Sequence, residues 1–395
     1  MNKILYLSLT GMTEALGESQ VAAYLKPLSK NNKIFLISFE KGSIDNLPKN
    51  LETLGIEWHP MQYSNKYGSI SAFIMVAKAI FLGLYITWQA KVNIVHARSM
   101  IPAMMGYWIC FFSKAKLLFD IRDFSTDEKV DRGRIEKNSI LYKILLAIEI
   151  YLYKKSDHIV ALTKVSKELL IENFLIKRHK ISVIPTCADA SVFYVISDEK
   201  KMRVRESLGF SLDDFICIHV GTVTGWYLFD EELVFFKKIQ EIKENAKLLI
   251  LNQGQHEYVN TKLREYNISE ASVKVLDVKY GEVNRYINTA DVSLYFITPS
   301  YSKKAAAPTK YAEFVCVNLP SITNSGVGDM DYYINRFNTG VIADPFNITI
   351  ESVRRSLLRI EDLSARPMYK ELYESKFSIK VAVAQYQNIY DELAI

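Results

Sequence analysis

The chain has 395 residues, with 49 Lys and Arg against 44 Asp and Glu (net +5), 49% hydrophobic and 24% charged residues. This is the balance of a soluble globular protein too long for one ordinary core, so two domains are expected. Four cysteines (Cys110, Cys187, Cys217 and Cys316) lack CxxC spacing, which argues against a zinc site or a disulfide framework and suits a reducing cytoplasm.

The charge is uneven. Residues 1–186 hold 25 basic and 16 acidic side chains, a net of +9, whereas residues 187–395 hold 24 and 28, a net of −4. A basic half points to an anionic partner. It contains no basic helix interleaved with stacking aromatics, so nucleic acid is not expected. Apolar helices share that half, and an anionic lipid surface fits better.

In chain order, "KILYLSL" (3–9) reads as a buried first strand and not as a signal peptide, its apolar run being too short. A glycine-bearing loop, a helix over 19–30 and a strand over 33–39 follow. The run Ile70 to Trp88 is almost long enough to span a bilayer, but Lys78 at its middle costs about 3 kcal/mol on insertion scales, favouring a buried or membrane-surface helix. Next come "NIVHAR" (93–98), a helix (101–112), "AKLLFDIRD" (115–123), an apolar helix (139–153) read as core, "HIVALT" (158–163), a helix from about 164, and "KISVIPT" (180–186). After a polar stretch, strands restart at 216–223, 246–254, 273–278, 292–298, 319–323 and 340–344, and residues 378–393 read as a closing helix. This alternation predicts an α/β chain of two Rossmann-like domains with parallel sheets facing an interdomain cleft. The expected boundaries are 1–190, completed by 378–395, and 191–377. GxGxxG is absent from both halves, so ordinary dinucleotide binding lacks its signature.

The stretch "AAAPTKYAEFVCVNLPSITNSGVGD" (305–329) carries the most chemistry. Lys310 and Glu313 are three apart and share a helix face. Pro308 suits the first turn of that helix. Helix N-termini and glycine turns present free N–H groups that hold phosphates. Lys310 on a diphosphate, Glu313 on ribose hydroxyls, and Thr309 with Ser325, Gly326, Val327 and Gly328 around them make a candidate nucleotide diphosphate site. Asp329 and Asp331 form a DxD, but Asp329 opens a helix and reads as an N-cap, so no metal is assigned.

Several segments in order resemble bacterial family-4-like glycosyltransferases of the two-Rossmann (GT-B) architecture. They are "GMTEALGESQVAAYL" (11–25), "VHARSMIPA" (95–103), "FDIRDFSTDEKVDRG" (119–133), "HVGTVTGWY" (219–227) and the 305–329 stretch. The resemblance implies sugar transfer from a nucleotide-sugar to a hydroxyl of a lipid-linked or polysaccharide acceptor. It further implies retention of configuration, no cofactor or metal, and a cytoplasmic place on the inner membrane surface. A nucleotide-sugar 2-epimerase, or an idle partner subunit of the same fold, is the alternative.

The resemblance puts Gly221 and Tyr227 on the donor side, Tyr227 or Trp226 stacking on the base. Gly17, Glu18 and Arg98 fall on the acceptor side, Gly17 letting a substrate approach closely. Asp120, Arg122 and His96 lie at strand ends, where parallel sheets place ligands. They join Lys310 as candidate catalytic groups. Two departures stand out. Ala305 occupies the position of the family's first donor-site glutamate, Glu313 matching the second, and the first donor-domain loop lacks the usual Arg or Lys. The phosphate charge would then rest on Lys310, with Lys303 or Lys304 in support.

Overall fold

Near-continuous apolar runs such as "ILYL" and "FLIS" suit strands buried on both faces of a parallel sheet, and two such sheets organise the chain. The computed structural model describes residues 1–41, 55–63, 69–363 and 368–395. Met1–Thr186, Tyr301–Ala307 and Ile379–Ile395 form one compact unit; Cys187–Ser300 and Pro308–Ser378 form the other. The boundary thus falls after Thr186. The seven residues Tyr301–Ala307 belong with the first unit although they interrupt the second in sequence.

The first unit contains β1 (Asn2–Ser8), β2 (Asn32–Glu40), β3 (Ile56–Gln62), β4 (Ile94–Arg98), β5 (Lys116–Asp120), β6 (His158–Ala161) and β7 (Ile181–Val183). They pair in parallel in the order β3-β2-β1-β4-β5-β6-β7. The order reverses between β1 and β4, and in open α/β sheets ligands bind at the carboxyl ends of the strands flanking such a switch point. The second unit contains β8 (Phe215–Val220), β9 (Ala246–Leu251), β10 (Val273–Leu276), β11 (Val292–Leu294), β12 (Ser321–Thr323) and β13 (Gly340–Ile342). Their parallel order is β10-β9-β8-β11-β12-β13, and the switch point lies between β8 and β11. The C-terminal helix Ile379–Leu393 packs on the first unit through Tyr386 and Tyr390.

Several elements differ from the sequence reading. β3 was not expected; its mixed sequence "IEWHPMQ" and half-exposed pattern are those of an edge strand. The helix expected over 19–30 is three pieces, Ala15–Gly17, a π-helical turn Glu18–Ala22, and Ala23–Leu28. β10, β11 and β13 end earlier than drawn. Helix Ser69–Ala90 is long and apolar enough to cross a membrane by length and composition, yet it buries Met75, Ala79, Leu84 and Ile86 in the first unit's core. Helix Ile140–Lys155, read as core, turns a stripe of Ile140, Leu141, Ile144, Ile148 and Tyr151 outward. Its buried face instead holds Tyr142, Glu149, Leu152 and Tyr153, because the Glu149 carboxylate accepts hydrogen bonds from the Ser125 and Thr126 amides and from the Tyr153 hydroxyl.

Gly17 also has a different role from the one expected. A Cβ there would lie 1.9 Å from the Gly11 carbonyl oxygen and 2.9 Å from Met12 Cα. The missing side chain admits the chain's own loop, not a substrate. Backbone cannot swing aside as a side chain can, so Gly17→Ala should lower stability by about 2 kcal/mol or more, read as a clear fall in thermal midpoint. An unchanged midpoint would restore the reading of Gly17 as an opening for a ligand.

Candidate functional site

The second unit brings Lys310, Gly221 and Tyr227 together at its switch point. Helix Thr309–Cys316 starts after Pro308, which stands at the N-cap and not inside the first turn. From this helix the Lys310 side chain reaches the loop after β8. Its Nζ lies 4.0 Å from the centre of the Tyr227 ring and 5.6 Å from that of Tyr295, the residue following β11. Lys310 is only 9% exposed, and its ammonium has no hydrogen-bond partner. A desolvated cation–π contact supplies about 2 kcal/mol, whereas burying an ammonium costs several. This cation is therefore short of negative charge, and a bound anion would supply it.

Gly221 makes room for that ammonium. It has φ +107°, a conformation that L side chains rarely adopt, and a Cβ there would lie 3.3 Å from Lys310 Nζ. The Tyr227 ring offers a face to Lys310. Glu313, one turn along the helix, is buried; desolvation raises its carboxyl pKa to about 7, against the opposing pull of Lys310. Near neutral pH it is thus only partly ionised and compensates Lys310 incompletely.

Side chains that the sequence reading passed over fasten the loop between Gly221 and Tyr227. Buried His219 puts Nδ1 2.7 Å from Glu232 Oε2, and its Nε2 donates to the Thr222 carbonyl at 3.1 Å. Glu232 Oε1 accepts from the Phe296 amide, tying helix Phe229–Ile242 to the chain beyond β11. Gln255 Oε1 accepts from the Val223 amide and the Thr222 hydroxyl, and Asn252 Nδ2 donates to the Gly221 carbonyl. The one signal available in sequence was His219 directly before the "VG" of the loop.

Thr309, half-buried, opens the Lys310 helix. In the turn after β12, Ser325 and Gly326 are exposed, Gly326 and Gly328 have positive φ, and the Val327 side chain is buried. Asn324 pins the turn through its Oδ1, which accepts from the Ile297 amide, and its Nδ2, which donates to the Ile297 and Ser325 carbonyls. Of the four expected amide donors, Gly326 N–H already points to Asp331 Oδ2 at 3.3 Å. Asp329 stands at the N-cap position of helix Met330–Phe337, but its side chain makes no capping hydrogen bond, a correction to the expected cap. Among the described residues no cluster of three or more His, Cys, Asp or Glu could hold a metal ion.

Arg98, Asp120, Arg122 and His96 gather in the first unit. Arg98 and Asp120 end β4 and β5 and are register partners. His96, expected to line a pocket, is inside β4 and 2% exposed, ringed by Tyr6, Tyr386 and Tyr390. Its Nδ1 lies 2.7 Å from the Tyr390 hydroxyl, its Nε2 3.5 Å from Asp120 Oδ2, and burial lowers its pKa. It is a neutral group fixing the C-terminal helix and not a pocket wall. Burial pushes the Asp120 carboxyl up, but Arg122 and the His96 contact outweigh it and hold the pKa at about 2. Asp120 is thus a fixed anion taking the Tyr386 hydroxyl and Arg122, unsuited to accept a proton. Glu18 is exposed at the start of the π-helical turn.

The lysines expected to support Lys310 lie in the first unit, with Lys303 among the charges of Glu128, Asp123 and Asp131 and Lys304 exposed beside the Tyr301 ring. Ala305 is 1% exposed in that unit's apolar core. A glutamate at this position would bury an unpaired carboxylate.

Residues 50–192 match the model of Glycosyltransferase Family 4. A stretch of 137 residues is 33% identical to mannosylfructose-phosphate synthase of Agrobacterium fabrum, covering 34% of this chain and 29% of that protein. The chain spans less than two thirds of the length of each curated relative it matches, two of which are uncharacterized glycosyltransferases of Methanocaldococcus jannaschii. Among solved structures, a glycosyltransferase from Rickettsia africae aligns over 99% of this chain and 98% of its own at TM-score 0.70 and 18% identity. The Anabaena protein HepE, solved with UDP-glucose, aligns over 99% of both chains at TM-score 0.74 and 15% identity. The fold is that of GT-B glycosyltransferases, with a family-4-like stretch in its amino-terminal half.

Glu313 gives a pH test. Its folded pKa is raised, so its contribution to stability is fully present below about pH 4.3 and is lost as pH rises through about 7. Glu313→Gln should flatten that slope, matching wild type at pH 4 and exceeding it at pH 8 by on the order of 3 kcal/mol in ligand-free chemical denaturation. Equal stability at both pH values would mean that the carboxyl is not desolvated.

Proposed function

We propose that this chain is a glycosyltransferase that moves a sugar from a nucleotide diphosphate donor to an acceptor hydroxyl. The observation that carries the reading is the buried Lys310 ammonium, without an anion, at the carboxyl ends of β8 and β11. In the reaction the bond between anomeric carbon and phosphate oxygen breaks, its electron pair passing to the diphosphate. The acceptor oxygen bonds to the anomeric carbon, and its proton goes to the departing phosphate oxygen. Attack from the face of the leaving group retains configuration and needs no carboxylate base, in keeping with an Asp120 held at a pKa of about 2. Lys310 and the N–H groups of Ser325, Val327 and Gly328 meet the charge that develops on the diphosphate, the task a metal performs elsewhere. Glu313 receives the ribose hydroxyls. HepE, of the same fold, has been solved with UDP and with UDP-glucose, which supports a UDP-sugar as the first donor to try.

Lys310→Ala should lower UDP-sugar affinity and transfer at least 100-fold while leaving the far-UV spectrum and thermal midpoint of the ligand-free protein unchanged or raised. Lys310→Arg should keep part of both, and a chelator should leave wild-type transfer intact. Transfer by Lys310→Ala at the wild-type rate would refute the assignment.

The reading extends to a lipid-linked or polysaccharide acceptor of cell-surface synthesis at the cytoplasmic face of the inner membrane. Exposed apolar residues on three helices of the first unit support it: Phe81, Tyr85 and Trp88; Trp108 and Phe111 of helix Met100–Phe111, with Phe112; and the outward stripe of Ile140–Lys155. Their helices are joined, since Trp88 Nε1 donates to the Phe112 carbonyl and the Tyr107 and Tyr151 hydroxyls lie 2.7 Å apart. Lys154 and Lys155 close the last of them. Apolar and basic side chains together bind anionic lipid. The protein should float with vesicles containing anionic lipid, and less with zwitterionic ones. Trp108→Ser with Phe111→Ser and Ile144→Ser should release it. Wild-type protein that stays in the soluble fraction with both vesicle types would overturn the membrane reading.

A further inference from the structure

The carboxyl ends of β1, β4 and β5 carry a second group of polar side chains that lack partners. Gln20, in the π-helical turn Glu18–Ala22, is 3% exposed; its Oε1 accepts from Arg122 Nη2 at 3.3 Å, while its Nε2 has no partner. Arg98 is half-buried, its Nε has no partner, and its Nη1 reaches only Thr10 Oγ1, at 3.4 Å. Ser99, the next residue, has φ +79° and ψ 173°, a region essentially reserved for glycine that costs on the order of 1–3 kcal/mol and is kept where the surrounding structure demands it. The Ser99 amide donates to the Asp120 carbonyl, which fixes where β4 ends and where Arg98 stands.

Arg98 and Arg122 carry two positive charges, and Asp120 between them carries one negative charge. His96, Tyr6, Tyr386 and Tyr390 are held neutral by burial. Glu40, the other fully buried carboxylate near this loop, is already taken by the Met12 and Thr13 amides and the Thr13 and Ser38 hydroxyls. What remains is a guanidinium edge and a carboxamide N–H group, both without partners, at a topological switch point, where parallel sheets receive ligands. Planar N–H donors of this kind match the oxygens of a phosphate or carboxylate.

We infer that Arg98, Gln20 and Arg122 form an oxyanion subsite in the first unit, which takes a phosphate or carboxylate carried by the acceptor. The inference rests on the transferase reading for the word acceptor, but not for the anion. The subsite gives the substrate class: a hydroxyl compound bearing a negative group, which Arg98 holds in the first unit.

The test is calorimetric titration of full-length protein with inorganic phosphate, glucuronate and glucose, and separately with UDP. Wild type should bind phosphate or glucuronate and not glucose, the better of the two naming the anion. Arg98→Gln should weaken that binding at least tenfold, Gln20→Leu severalfold, and Arg98→Lys less than Arg98→Gln. Lys310→Ala should keep it. UDP should show the reverse pattern, unchanged by Arg98→Gln and lost in Lys310→Ala. Failure of wild type to bind either anion, loss of anion binding only in Lys310→Ala, or loss of UDP binding in a folded Arg98→Gln would each overturn the subsite. Failure of wild type to bind UDP would instead remove the donor reading while leaving the anion titration to decide the subsite.

Discussion

A buried ammonium with no anion beside it is the constraint on which the second unit is built. Lys310 lies against the Tyr227 face and close to Tyr295, contacts that lessen the cost of its desolvation without removing its charge. The surrounding details serve to keep the position open. Gly221 withholds a Cβ that would crowd Nζ. Asn252, Gln255 and the His219–Glu232 pair hold the adjoining loop by its backbone. Glu313, one turn along the helix, makes no ion pair with the lysine and is desolvated until its carboxyl gives up its proton only near pH 7. A charge kept in deficit in the free protein is worth most at the moment when negative charge develops on a leaving group.

Each unit obeys the same topological rule and carries a different kind of cation at its switch point. Both sheets reverse strand order once, and the cations gather at the carboxyl ends beside the reversal: Lys310 by β8 and β11, Arg98 by β1 and β4. In the second unit the cation is a single ammonium on an aromatic face. In the first it is a pair of guanidinium groups around Asp120, braced by tyrosines from the C-terminal helix. An ammonium is a compact point charge, whereas paired guanidinium groups impose a planar pattern of donors. That difference suits the diphosphate proposed for one place and the oxyanion proposed for the other.

Features set by local chain geometry could be read from sequence. Strand–helix alternation gave both sheets, and the three-residue spacing of Lys310 and Glu313 put them on one helix, since such rules depend on neighbours in sequence. Features set by distant partners could not. His96 looked like a pocket residue because nothing near it in sequence reveals that Tyr386 and Tyr390 would cover it. Ala305 looked like a gap in a donor site, but its surroundings are the core of the other unit. The stripe on Ile140–Lys155 had the period of a core face, and only the capping role of Glu149 shows which side is buried. Gly17 was recognised as a glycine that mattered, for the wrong neighbour. The unpartnered Gln20 amide left no trace in sequence at all.

The most direct measurement is a crystal structure of the protein with UDP. The account predicts that Lys310 Nζ meets a diphosphate oxygen at about 2.7–3.2 Å, with the Tyr227 ring still beneath it and Glu313 facing the ribose. A bound nucleotide whose diphosphate lies beyond the reach of Lys310, its charge met by other groups, would contradict it.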